Sequence, residues 1–166
     1  GVDVGAHALL LDAPAARAAL EAALDTAVLG LCAAAIGAME SVMAMTADYL
    51  KTRVQYGQPL ARFQSLQHRM AEMFVETDQS RAALYRAIAA VESGHQQAQA
   101  VSAAKWLIAR AGLFVCGQGI QLHGGIGVTE EYAVGHHYKA MVSLDKRLGN
   151  ADFHLLRSSQ LFQADA

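Results

Sequence analysis

Leu20, Leu24, Ala27, Leu31, Ala34, Ala38, Val42, Met45 and Tyr49 recur every three or four residues, which places them on one face of a long helix. Asp12 stands before it as a capping residue and Pro14 suits its first turn, and nothing breaks the pattern firmly before about Lys51. Gly30 and Gly37, seven apart, predict close contact with a neighbouring helix. The segment QYGQPL, residues 55–60, is the first true break, because it combines Gly57 with Pro59. A second helix is predicted over about 62–92, with Leu66, Met70, Met73, Phe74, Thr77, Leu84 and Ile88 along its apolar stripe. SGHQQ then reads as a short turn. A third helix covers about 98–122 through Trp106, Leu107, Ala111 and Val115. After a glycine-rich turn, about 130–145 and 150–163 read as two shorter helices separated at Gly149.

Long helices joined by short turns predict an all-α fold, an up-down four-helix bundle whose last helix is split near Gly149. Residues 12–166 form that single domain. Residues 1–11 read as the end of a strand or an extended lead-in, and GVDVGAHALLLD reads as the middle of a longer protein.

Composition narrows the function classes. The chain is 54% hydrophobic and 17% charged with two prolines, a balance that excludes intrinsic disorder and favours closely packed helices. A net charge of −2 with scattered basic residues gives no footprint for nucleic acid. No stretch of 18 residues is free of charged and polar breaks, so no membrane span is expected. Cys32 and Cys116 lack metal or redox spacing and are expected as reduced, buried thiols, which with no signal peptide predicts a cytoplasmic protein. The seven histidines, among them His123, His136 and His137, do not pair with acids at ligand spacing, so no metal site is expected. Met39, Met43 and Met45 are expected as core filler.

Two corners carry chemistry. RVQYGQPLARFQ, residues 53–64, puts an arginine and amides beside a Gly/Pro turn, where a guanidinium could clamp phosphate. QLHGG, residues 121–125, closes one helix with glycines that bare backbone N–H groups. A surface arginine and an ordinary helix cap account for either corner taken alone.

Together, YLKTRVQYGQPLARFQSLQHRMAEM and, some fifty residues on, QLHGGIGVTEEY resemble the C-terminal helical domain of the acyl-CoA dehydrogenase family, over about Leu20 to the chain end. The resemblance implies an FAD enzyme, usually a tetramer, that desaturates an acyl-CoA substrate across its α,β bond and passes electrons to an electron-transfer flavoprotein or similar acceptor. It also implies an N-terminal helical domain and a middle β-domain ahead of this one, with residues 1–11 as the tail of that β-domain. Carried over residue by residue, Arg53 and Gln55 would meet the diphosphate of a neighbour's FAD. Phe63 and Gln64 would touch flavin, while Gln121, Leu122, His123, Gly124 and Gly125 would line the adenosine–diphosphate part.

The departures from the family pattern lie in its catalytic pocket. The usual catalytic glutamate falls at Leu148, the alternative one at Ala27, and the arginine three residues beyond Asp25 falls at Val28. A leucine cannot abstract an α-proton. The look of QLHGGIGVTEEYAVGHHYK with RLGNADFHL is that of small subunits of bacterial heteromeric acyl-CoA dehydrogenases, which complete a related catalytic partner's flavin site. A homotetramer with a relocated base, Asp145 or Asp152, is the alternative. A flavin-free assembly domain is the third.

Overall fold

The computed structural model describes residues 1–164, so the last two residues of the expected bundle lie outside it. Helix α1 spans Ala13–Thr52, and Asp12 caps it, its Oδ1 accepting from the Ala15 N–H at 2.9 Å with proline in the first turn. A two-residue hairpin follows, β1 Val54–Gln55 against antiparallel β2 Gln58–Pro59, in the register Val54 with Pro59 and Gln55 with Gln58. Tyr56 (φ 52°) and Gly57 (φ 76°) both occupy the left-handed region, as a tight primed turn demands. Helix α2 runs Gln64–Ser93 and ends on Gly94 at φ 69°, a left-handed cap. Helix α3 covers Gln97–His123, α4 Ala133–Lys146 and α5 Ala151–Ala164. The α4–α5 break falls at Leu148 and Gly149, both at positive φ, so the expected split is where the sequence placed it.

Helix α3 is the central element and packs against α1, α2, α4 and α5. Its core contacts include Val101, Ala104, Ile108, Val115 and Cys116, which meet Val28, Cys32, Met39 and Val42 of α1 and Met73, Leu84 and Ala87 of α2. Both cysteines are buried free thiols, and Met39, Met43 and Met45 belong to the core or pack on it, as expected. Lys105, also buried, donates to the Leu144 carbonyl at the end of α4, a cation against the negative end of that helix. Residues 1–11 carry one 3-10 turn, Ala6–Ala8, and are exposed throughout.

Two expectations are corrected. The buried face of α1 is displaced from the predicted stripe: Asp25, Val28, Cys32, Ala35, Met39, Val42, Thr46 and Leu50 face the bundle, whereas Leu20 and Leu24 are exposed. Phe74 of α2 is likewise exposed. Gly30 and Gly37 make no close helix contact, since a Cβ at either would find nothing within 4 Å. The glycines that do admit neighbouring helices are Gly112 and Gly119 on α3, where an added Cβ would run into Met141 and Val42 respectively. By length and composition alone, the segments Ala6–Thr52 and Gln97–Val128, which contain α1 and α3, could each cross a membrane. In α3, 61% of the qualifying window is buried within the bundle, as for a core helix, against 39% in α1.

Candidate functional site

The two sequence corners converge. Helix α1 ends on Arg53, whose N–H donates to the Tyr49 carbonyl and whose own carbonyl accepts from the Leu60 N–H at 2.9 Å, fixing the hairpin against the helix end. The C-terminus of α3 arrives beside it with Gln121, Leu122 and His123. Gly124 then reverses the chain at φ 64°, ψ −141°, a conformation open to glycine. Between these ends lies an open cleft of about 490 Å³, lined by Arg53, Gln55, Gln121, Leu122, His123, Gly124 and Gly125. Of the expected cofactor residues, Phe63 and Gln64 stand outside it. Phe63 packs edge-on against Tyr56 with ring centroids 6.1 Å apart, and Gln64 is exposed at the start of α2.

The glycines of this corner differ in their reasons. Gly124 is required by backbone conformation. Gly127 is required by packing, because a Cβ there would sit 2.7 Å from the Ile120 carbonyl oxygen. Gly125 has neither constraint, and a Cβ on it would meet nothing within 4 Å. Its bare backbone borders the cleft.

Sequence reasoning missed Tyr49, Ser65 and Arg69, which also line the cleft. Ser65 and Arg69 are one turn apart on α2, and only that spacing in the sequence linked them. No carboxylate lines the cleft, and among the described residues neither Arg53 nor Arg69 is in an ion pair. His123 is buried between two aromatic rings, Tyr49 at 4.6 Å and Tyr132 at 4.9 Å between centroids. Its Nδ1 lies 2.7 Å from the Gly119 carbonyl, which can only accept, so Nδ1 carries the proton and Nε2 is left as an acceptor. Nε2 has no partner among the described residues.

A second cavity, about 260 Å³, gathers two of the positions where the sequence departs from the family pattern, Val28 and Leu148, with Glu21, Leu24, Asp25, Phe153, His154 and Arg157 around them. Ala27 is exposed and does not line it. A buried polar chain runs along this cavity. Arg157 Nη1 donates to Asp25 Oδ1 at 2.8 Å and to Ser102 Oγ at 2.9 Å. Ser102 Oγ lies 3.3 Å from His154 Nδ1, and His154 Nε2 donates to the Leu148 carbonyl at 2.9 Å. Burial pushes the His154 imidazole below its ordinary pKa, the Leu148 hydrogen bond opposes this, and the Lys105 and Arg157 cations reinforce the shift. The ring is therefore neutral, and both of its nitrogens are engaged.

Neither candidate base reaches this cavity. Burial raises the pKa of the Asp145 carboxyl, but Lys146 and the Ala151 N–H outweigh it and hold the group below its ordinary value. Asp145 Oδ1 accepts from Ala151 at the first turn of α5, a capping role. Asp152 is exposed on that turn.

A long helical bundle bearing an acid-free, arginine-lined cleft at the ends of α1 and α3 defines the class. Residues 16–157 match the family described as acyl-CoA dehydrogenase, C-terminal domain, and the chain belongs to that family. Its members are FAD-dependent oxidoreductases. The chain is 37% identical over 115 residues to the acyl-CoA dehydrogenase IpdE2 of Mycobacterium tuberculosis, covering 69% of this chain and 35% of the relative. To the short-chain specific acyl-CoA dehydrogenase of Megasphaera elsdenii it is 32% identical over 116 residues, covering 70% of this chain and 30% of that one. A solved structure of a variant of the Tcur3481-Tcur3483 steroid ACAD superposes with a TM-score of 0.86 at 35% identity, over 89% of this chain and 41% of that one. The chain thus spans about a third of the curated relatives it matches.

Proposed function

We propose that this domain completes the FAD site of a neighbouring chain in a tetrameric acyl-CoA dehydrogenase, and that its own chain is the subunit without the catalytic glutamate. The observation that carries this reading is the asymmetry between the two cavities. The cleft at Arg53 keeps free cations and bare backbone, while in the cavity at Leu148 the polar groups are already engaged: Asp25 with Arg157, His154 with the Leu148 carbonyl, and Glu21 with Arg17.

The cleft residues fit a dinucleotide. Arg53 offers donors to a diphosphate, Gly125 leaves room for close approach, and the His123 Nε2 lone pair awaits a hydroxyl or amino donor. FAD, when bound, supplies the acceptor for the hydride that leaves the acyl Cβ. The contribution of this chain is to hold the cofactor and to cover it against water. The carboxylate that takes the α-proton belongs to the partner chain. Exposed apolar side chains on α1 and α5, Leu24 and Leu155 among them, support burial against other subunits. An electron-transfer flavoprotein or similar carrier is the proposed acceptor, and the cytoplasm the proposed location.

The test is flavin content. The full-length protein expressed alone should carry no FAD, whereas the complex co-purified with its neighbouring gene's product should carry half occupancy and turn over acyl-CoA. Arg53→Ala should strip flavin from that complex. One FAD per chain with turnover in the lone protein would sink the reading.

A further inference from the structure

Arg69 differs from the three arginines that form ion pairs among the described residues. Arg17, Arg81 and Arg157 are each bound to carboxylates. The Arg69 guanidinium is instead held by a neutral group across two helices: its Nη1 on α2 donates to Gln118 Oε1 on α3 at 3.0 Å. A guanidinium has five N–H donors, so this single bond orients the exposed side chain without neutralising it and leaves most of the fork available. It shares the cleft with Arg53, and no acid lies between them or around them in that lining. Two cations in one acid-free cleft repel each other until a ligand supplies the charge.

We propose that Arg69 is a second diphosphate-binding residue, positioned by Gln118, so that the cleft receives one oxyanion on Arg53 and one on Arg69. This rests on the dinucleotide reading above. The neutrality of Gln118 is part of the device: a glutamate there would form an ion pair with Arg69 and compete with the ligand. The ligand class is a nucleoside diphosphate moiety with a hydrogen-bond donor for His123, which describes the adenosine diphosphate half of FAD and excludes a bare flavin.

The experiment uses the full-length chain in complex with its partner, loaded with FAD. Flavin release on dilution is followed by the rise in flavin fluorescence at increasing KCl, with ADP and adenosine added as competitors. Arg69→Ala should speed release about 10- to 100-fold, as loss of a charge-assisted contact implies. It should also weaken competition by ADP while leaving adenosine unchanged. Arg69→Lys should fall between. Gln118→Glu keeps the cross-helix bond and should still speed release, so it decides the matter if Arg69→Ala lowers the melting temperature. Wild-type release from Arg69→Ala and Gln118→Glu, with fast release from Arg53→Ala, would overturn the Arg69 assignment alone. Wild-type release from all three variants would overturn the dinucleotide reading itself.

Discussion

Arg157→Met probes the polar chain that occupies the Leu148 cavity. The Asp25 side chain is only 4% exposed and its Oδ1 lies 2.8 Å from Arg157, whose own side chain is 26% exposed. Removing the arginine leaves an uncompensated buried carboxylate, a change that costs about 3–5 kcal/mol when the partner is fully buried. Water reaching the partly open Arg157 side puts the expectation at the lower end, about 3 kcal/mol. For a domain of this size each kcal/mol is worth roughly 2–4 °C, so the melting temperature should fall by roughly 6–12 °C. Replacing both partners, Asp25→Leu with Arg157→Met, removes the stranded charge and should return stability to within about 1 kcal/mol of the wild type. Helical ellipticity at 222 nm during heating of the full-length protein, wild type and three variants, closes the double-mutant cycle. If Arg157→Met costs under about 0.5 kcal/mol and the cycle gives no coupling, the pair is solvent-screened and the cavity is not consolidated as argued.

The other expectations follow from individual groups. Asp145→Asn should lower the melting temperature of the co-purified complex by weakening the first turn of α5 and the Lys146 pair, with turnover retained. Turnover lost at unchanged stability would instead make Asp145 the base. The His154 pKa is depressed in the folded state, so its contribution is complete above the ordinary value of 6.5 and is lost as pH falls below it, when the unfolded chain takes up the proton first. Melting temperature should therefore decline from about pH 6.5 downward, and a His154→Gln variant should flatten that slope. The groups felt by the ring are Lys105, Arg157 and Asp25. Burial pushes the thiols of Cys32 and Cys116 up to about 11 and about 12, so iodoacetamide at pH 8 should label neither until the protein is unfolded. Labelling of the native state would contradict the buried core of α1 and α3. Gly127→Ala should destabilise by about 1–3 kcal/mol, because its Cβ would press on the Ile120 backbone rather than on a movable side chain.

Element boundaries were legible in the sequence because local chemistry sets them. Asp12 caps α1, Gly57 turns the hairpin, Gly94 ends α2, and Gly149 separates α4 from α5, each through backbone conformation that its own few residues determine. The family motifs likewise marked both corners of the cleft. Which face of α1 turns inward was not legible. In an alanine-rich helix, neighbouring stripes are nearly equal in hydrophobicity, and the choice fell to α3, which selects Cys32, Ala35 and Thr46 over Leu20 and Leu24. Apolar periodicity also passes over Asp25, Ser102, Lys105 and His154, because polar side chains are buried only where partners distant in sequence satisfy them. Arg69 became a candidate through Gln118, 49 residues away, and Arg53 met Gln121 only when the ends of α1 and α3 came together. Sequence alone determined where this chain turns and which family it resembles. Tertiary structure decided which charges are neutralised and which are left free, because charge compensation depends on distances in space that sequence separation does not encode.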